Sequence, residues 1–303
     1  MRITGTFLDE ITHDIPSQNW SRDEWAREFA LYQRIGIDTV ILIRAGYKDK
    51  CVFPSSVVPG CSPVKDDLAS MFLDLAEEYG QSLYFGTYDS GEHWLSGAWK
   101  KEVDLNRSFV DEVVKRYGER AAFKGWYMCH ETARNHLNIT DIFRGIGGHC
   151  KQAKDVPVLI SPFPMGEKQA GKQNAIPLGT TFKEWDTIFA ETKGVIDMCA
   201  FQDGQIHYHE LPEFHAGIKA LTDKHVIKLW ANVESFDRDM PIKFPPADWR
   251  YLHLKLEEAA KVAEKTITFE FAHFMSPYSC YAAAHRLFDR YCSHLGIERS
   301  VQI

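Results

Sequence analysis

Phe123-Lys124-Gly125-Trp126-Tyr127-Met128-Cys129-His130-Glu131 reads as a buried, aromatic-rich strand that runs straight into an acid. Apolar residues dominate it, no helix-start signal precedes it, and the polar stretch 132–138 follows. A strand covered on both faces of a parallel sheet is apolar nearly throughout, and this one is so until its last two residues. A carboxylate at that carboxyl end is costly to desolvate, so it needs either partners or a task. An Arg-paired structural Glu and a chemically active one fit the stretch equally well by itself. A second stretch of the same design, residues 226–234 ending in Glu234, tips the balance toward a task.

Outward from this strand the chain alternates without a break. Strands are predicted at 2–8, 39–43, 82–87, 123–131, 156–160, 195–201, 226–231 and 265–271. Helical periodicity fills the intervals at 20–35, 66–79, 106–117, 141–153, 182–192, 210–223 and 246–263, and a last helix at 281–294 closes the series. Ser21 with Glu24 three residues on has the spacing of a capping box, and Gly36 and Gly80 stand where helices should stop. Eight strand–helix units in 303 residues predict a single-domain α/β fold over 1–303, the closed (β/α)8 TIM barrel. The competing doubly wound sheet normally carries a Gly-rich turn after its first strand, and residues 9–18 have none.

Composition narrows the partners. The net charge of -7 and sequence pI near 6.0 argue against nucleic acid and anionic membrane. No apolar run is long enough to span a bilayer, so the chain is expected to be soluble: cytoplasmic, or exported if a signal peptide preceded it. Seven cysteines with no CxxC pair indicate neither a disulfide framework nor a thiolate zinc site. Cys129 and Cys199 sit in predicted core strands, where a free thiol packs as a small hydrophobe.

In a (β/α)8 barrel the carboxyl ends of all strands open into one mouth. The residues expected there are Asp9, Glu10, Arg44, Tyr88, Asp89, His130, Glu131, Gln202, Asp203, Asn232, Glu234 and His273. Two carboxylates facing across a cleft suit glycosidic bond cleavage: one protonates the leaving oxygen, the other attacks the anomeric carbon or activates water. Glu131 and Glu234 close the fourth and seventh strands and approach the mouth from opposite sides of the ring.

That pairing resembles the large clan of retaining (β/α)8 glycoside hydrolases, whose acid/base and nucleophile are glutamates after the fourth and seventh strands. His130 stands where the clan commonly carries Asn before the acid/base. Gly5-Thr6-Phe7-Leu8-Asp9-Glu10, Gly125-Trp126-Tyr127 leading to Glu131, and Phe269-Glu270-Phe271 before Met275-Ser276-Pro277 resemble, more closely, a barrel family known mainly as a domain of unknown function. That family is grouped with the glycoside hydrolases and is often bacterial and exported. The resemblance implies carbohydrate as substrate, Glu131 as proton donor and Glu234 as nucleophile, with no cofactor and no metal.

Around this pair, Asp203 and Asp89 are alternative carboxylates, and Asp203 can serve as base if Glu234 turns away. His130 and Arg44 can tune the proton affinity of the pair, and Asn232 can bond a sugar hydroxyl. Tyr47, Tyr88, Trp94, Phe163 and Tyr208 are candidates to stack on pyranose faces. Bland roles compete: Glu270 as a salt-bridged layer residue, Glu10 and Asp14 as loop caps, Trp94 and Tyr208 as loop packing. Two other function classes stay open. His207 and His209, with His13, His93, His130 and His273 near strand ends, can join Asp203, Glu131 and Glu234 as ligands in a metal-dependent sugar isomerase or hydrolase, although no HExxH appears. A non-catalytic carbohydrate-binding barrel is the third.

Overall fold

A computed structural model describes residues 2–12, 15–62, 66–238 and 243–297. Eight parallel strands close into a barrel in chain order: β1 (Gly5–Leu8), β2 (Thr39–Leu42), β3 (Ser82–Gly86), β4 (Phe123–Met128), β5 (Val158–Ile160), β6 (Met198–Gln202), β7 (Lys228–Asn232) and β8 (Lys265–Thr268). Register closes the ring, with Gly5 of β1 opposite Thr39 of β2 on one side and Ile267 of β8 on the other. The helices that return the chain are α1 (Arg22–Ile35), α2 (Leu68–Tyr79), α3 (Trp99–Tyr117), α4 (Ile139–Ala153), α5 (Leu178–Glu191), α6 (Leu211–His225), α7 (Trp249–Ala259) and α8 (Ala282–Leu295). This is the TIM barrel that the alternation predicts.

Local chemistry sets the helix ends. Ser21 and Glu24 form the expected capping box, the Ser21 N–H donating to Glu24 Oε2 at 2.7 Å. Gly36 takes φ 83° at the α1 C-cap, a left-handed turn that side chains resist. The boundaries depart from the sequence pattern in three places. α3 begins at Trp99 rather than near 106, because Glu102 and Asn106 occupy core-facing positions where an apolar stripe would be sought. α7 is shorter than expected because Pro246 is held back in a bridge with Phe236. β8 stops at Thr268, and Glu270, expected inside the strand, instead caps a short turn of helix, Phe271–Phe274, its Oε1 accepting from the His273 N–H at 3.2 Å.

Two apolar layers hold the barrel. Inside it, Phe7, Ile41, Tyr84, Tyr127, Cys129, Leu159, Met198, Ala200, Trp230 and Ile267 interdigitate as a packed core. A larger cluster, including Trp25, Phe29, Phe72, Trp126 and Trp185, fills the space between strands and helices. Each such aliphatic or aromatic side chain stabilises the fold by roughly 1.5–3 kcal/mol on burial. The β2 and β3 loops leave the barrel together: Gly46–Tyr47, Lys50–Cys51 and Tyr88–Asp89 form a small separate sheet. No helix among the described residues is long and apolar enough to cross a membrane.

Candidate active site

Strand alternation builds the site. Side chains two residues apart share a face, so the inward series of the barrel core continues upward past the strand ends. Phe7 is followed by Asp9, Cys129 by Glu131, Ala200 by Gln202, Trp230 by Asn232 and then Glu234, and Ile267 by Phe269. All of these upper residues line one cavity of about 170 Å³ at the carboxyl-terminal mouth. Arg44 and Phe163, both expected at the mouth, line it too, as do Gln169, Gln205, Phe236, Arg238 and Phe244. Seven of the sequence-predicted residues thus come together: Asp9, Arg44, Glu131, Phe163, Gln202, Asn232 and Glu234.

Glu234 is held from three directions. Arg238, four residues further along the chain, forks onto its carboxylate, Nε donating to Oε2 at 3.0 Å and Nη2 to Oε1 at 2.6 Å. The Glu234 N–H donates to Asp203 Oδ1 at 3.0 Å, while Lys255 Nζ donates to the Glu234 carbonyl at 2.6 Å. Lys255 also pairs with Asp203 Oδ1 at 2.7 Å, so one buried ion pair clamps the Glu234 peptide on both faces. Burial raises the Asp203 carboxyl above the usual range, the Glu234 charge adding to it and Lys255 opposing it. A Cβ on Gly204 would fall on Glu234 Oε2, which is why no side chain fits there.

Glu131 is held from below. Tyr127, two turns of the pleat below, donates its hydroxyl to Oε1 at 2.9 Å. Burial disfavours the Arg44 cation, but Glu131, with Asp89 and Asp9, outweighs that and raises it further. Arg238 behaves alike: burial opposes its charge, and Glu234 more than compensates. Arg238 also lies over the rings of Phe236 and Phe244, 4.9 and 5.4 Å from their centroids, and donates from Nη1 to Gln169 Oε1 at 2.7 Å. Arg238, Gln169, Gln205, Phe236 and Phe244 carried no signal in the sequence pattern, because they lie outside the barrel strands, Gln169 in the short helix Glu167–Ala170, with no strand parity to read. Phe269 does continue the β8 series and was legible by counting in twos.

The other expected site residues line different surroundings. His130 has the opposite parity to Glu131 and points outward, Nε2 2.9 Å from Glu102 Oε1 with both side chains fully buried. Burial opposes its charge, yet Cys129 and Glu102 push it up to about 10. Asp203 likewise turns outward, away from Gln202, to meet Lys255 from α7. Tyr47, Tyr88 and Asp89 are drawn into the small sheet; the Tyr88 hydroxyl donates to the Lys48 carbonyl at 2.8 Å, and Tyr47 carries Arg44 and Lys48 over its ring. Asp89 Oδ1 accepts from Gly91 N at 2.8 Å and Trp94 Nε1 at 2.9 Å, so Trp94 packs on His130 rather than on the cavity. Tyr208 stacks on Tyr251 at 4.4 Å. Glu10 is tied to Ser17 Oγ at 2.5 Å and Gln18 N at 3.0 Å, the loop-capping role. His273 is spent on Glu270 and, through Nε2, on the Pro16 carbonyl at 2.6 Å, and burial lowers its proton affinity. His13 and Asp14 lie outside the described residues.

The metal reading meets a different grouping from the one expected. His207 and His209 stack on each other at 5.6 Å. Among the described residues, Asp89, Glu102 and His130 are the trio with ligand atoms within 4.8 Å of one another. Glu102 in this trio already accepts from Ser90 and His130, and Asp89 from Gly91 and Trp94. The trio lies off the cavity, and its two carboxylates are already taken up by these hydrogen bonds.

Comparison with known proteins agrees with the architecture. The chain is 46% identical to a Bacteroides thetaiotaomicron protein described as a candidate alpha-L-fucosidase, with TM-score 0.95 over 98% of this chain and 94% of that one. Two distant barrels share the fold: the endo-1,4-beta-D-mannanase of Thermotoga petrophila (10% identity, TM-score 0.59, 89% of this chain and 87% of that one) and alpha-L-fucosidase isoenzyme 2 of Paenibacillus thiaminolyticus (12%, 0.56, 98% and 49%). No curated protein matches the sequence at a significant level. A family model for a domain of unknown function, DUF4434, matches residues 3–281, and the chain belongs to that family.

Proposed function

We propose that the protein is a glycoside hydrolase acting on an O-glycosidic bond at the barrel mouth, with Glu131 as general acid/base and Glu234 as nucleophile. One observation carries the proposal: two carboxylates 103 positions apart in sequence line the same cavity. In the first step the Glu131 proton passes to the glycosidic oxygen, the C1–O bond breaks, and the sugar's anomeric carbon bonds to a Glu234 oxygen. In the second, Glu131 takes a proton from water, whose oxygen displaces Glu234 and restores both carboxyl groups. The Arg238 fork and the Asp203–Lys255 clamp fix Glu234 in position, as a nucleophile requires.

The Bacteroides relative makes a terminal 6-deoxyhexose the first substrate to try. Turnover of 4-nitrophenyl alpha-L-fucoside and a panel of neutral aryl glycosides is the test, with Glu131→Gln and Glu234→Gln alongside. Loss of only a few-fold in either variant removes that residue from its role. A second reading, a barrel that binds glycan without cleaving it, is favoured by the same Arg238 fork, because it occupies both Glu234 oxygens. Binding with no turnover by the unmodified protein selects it.

A further inference from the structure

Tyr127 puts a phenol into the apolar interior of the barrel. It is 0% exposed on β4, its ring meeting Phe7 edge-on at 5.0 Å within the layer that holds Ile41, Cys129, Leu159 and Ile267. A hydroxyl placed there is costly unless it finds an acceptor. The acceptor is Glu131 Oε1 at 2.9 Å, four residues on and on the same inward face of the chain. A phenylalanine would fill nearly the same volume without that requirement, so packing alone does not account for the oxygen.

The proton in this bond has one direction. Burial, and then the Glu131 charge, raises the Tyr127 hydroxyl well above its ordinary value, so it stays protonated through neutral pH and donates. Were Glu131 to donate to Tyr127 instead, the phenol's own proton would point into the apolar layer with no acceptor. Oε1 is therefore taken as an acceptor in both charge states of Glu131, and the neutral acid carries its proton on Oε2. An acid/base that gives a proton in one step and takes one in the next gains from a fixed choice of oxygen. The same bond favours the ionised carboxylate. Among the described residues, the charged and titratable groups about Glu131 are Asp9 after β1, Arg44 after β2, Glu234 and Arg238 after β7, and Cys129 two residues below it.

We infer that Tyr127 is a positioning residue for the proton transfer: its hydroxyl fixes which Glu131 oxygen carries the proton and holds down the proton affinity of that carboxyl. This rests on the acid/base role proposed for Glu131. Tyr127→Phe keeps the ring and every charge around Glu131, and removes only the donor. The probes are phenyl and 2,4-dinitrophenyl alpha-L-fucoside, or the same pair of whichever sugar the panel shows to be cleaved. With the fold intact by circular dichroism, kcat/KM should fall by about tenfold for the phenyl leaving group, which needs the proton. It should fall by less than about twofold for dinitrophenyl, which leaves without one. The alkaline limb of kcat/KM should move up by about one pH unit, because the lost donor favoured the ionised form and the acid now keeps its proton longer. Carbon-13 NMR of carboxyl-labelled glutamate, with Glu131→Gln identifying the signal, reads the same upward move without turnover. A purely structural tyrosine would lower stability and affect both leaving groups alike, with limb and signal in place. The inference falls if the two substrates lose equally, or if the folded Tyr127→Phe protein titrates where the unmodified one does. Absence of turnover in the unmodified protein sinks the hydrolase proposal, and the NMR titration then still decides whether Tyr127 sets the Glu131 proton affinity.

Discussion

The two sides of the barrel mouth use the same residue types to opposite ends. On the β7 side, Asn232, Glu234 and Arg238 face a cavity, with Asp203 and Lys255 behind them as support. On the β3–β4 side, Asp89, Glu102, His130 and Trp94 close on one another, and the cavity gets none of them. Buried acids stand near the strand ends on both sides. Parity and partners separate them: an inward position ends at the cavity, while an outward one meets a helix whose own buried polar group claims it. A strand-end acid is therefore chemistry on one face and scaffolding on the other.

The sharpest way to break this comparison is to remove the charges it ranks highest. Glu234→Gln should lower kcat/KM on a cleaved aryl glycoside by about 10⁴-fold or more, and Glu131→Gln by about 10²–10⁴-fold, with melting temperatures kept within a few degrees. Loss of only a few-fold in both would erase the distinction between the two sides.

Glu102→Leu tests the scaffolding side. It strands a buried His130 and should cost about 3–5 kcal/mol of stability by chemical denaturation, while kcat/KM below the transition changes only a few-fold. The linkage has a definite sign. The His130 proton affinity is raised in the fold to about 10 from an ordinary 6.5, so its contribution is whole below the ordinary value and is lost as pH rises through 10. The Glu102 carboxyl is lowered: burial opposes this, but the His130 hydrogen bond and charge outweigh it, so its contribution is lost in acid. The unmodified protein should show both limbs of that pH profile, and Glu102→Leu should flatten them.

Gly204→Ala sharpens the β7 side without touching a charge. Its methyl would meet the Glu234 carboxylate, which the Arg238 fork prevents from swinging away freely. A drop of about 10- to 100-fold in kcat with KM little changed is expected, a misplacement effect rather than lost binding. An unchanged kcat would mean that the fork does not hold the carboxylate in place. The smallest effect belongs to the rim: Tyr208→Ala, whose ring is spent on Tyr251, should change kcat/KM on aryl glycosides by no more than about threefold. A loss of tenfold or more would move Tyr208 into the site.

Much of this was legible before any coordinates. Period-2 and period-3.6 patterning, Gly36 and Gly80 at helix ends, and apolar strands ending in acids are local properties, and they led to the barrel and to Glu131 and Glu234 at its mouth. Counting in twos from Tyr127 and Ala200 would also have separated Glu131 from His130 and Gln202 from Asp203. What no local pattern carries is which distant group meets each outward or loop residue. Lys255 reaches Asp203 from α7, Glu102 reaches His130 from α3, and Arg238 folds back over Glu234 from a loop. The β2 and β3 loops pair with each other in a small sheet and carry Tyr47, Tyr88 and Asp89 off the cavity.

The chain by itself determined the architecture and the list of chemical groups delivered to the mouth, since helix and strand periods follow from backbone geometry and burial alone. Only the tertiary structure decided which of those groups are left with an open valence. Which groups are satisfied depends on partners that no local pattern connects, such as Glu102 with His130 and Lys255 with Asp203, brought together by the packing of α3 and α7.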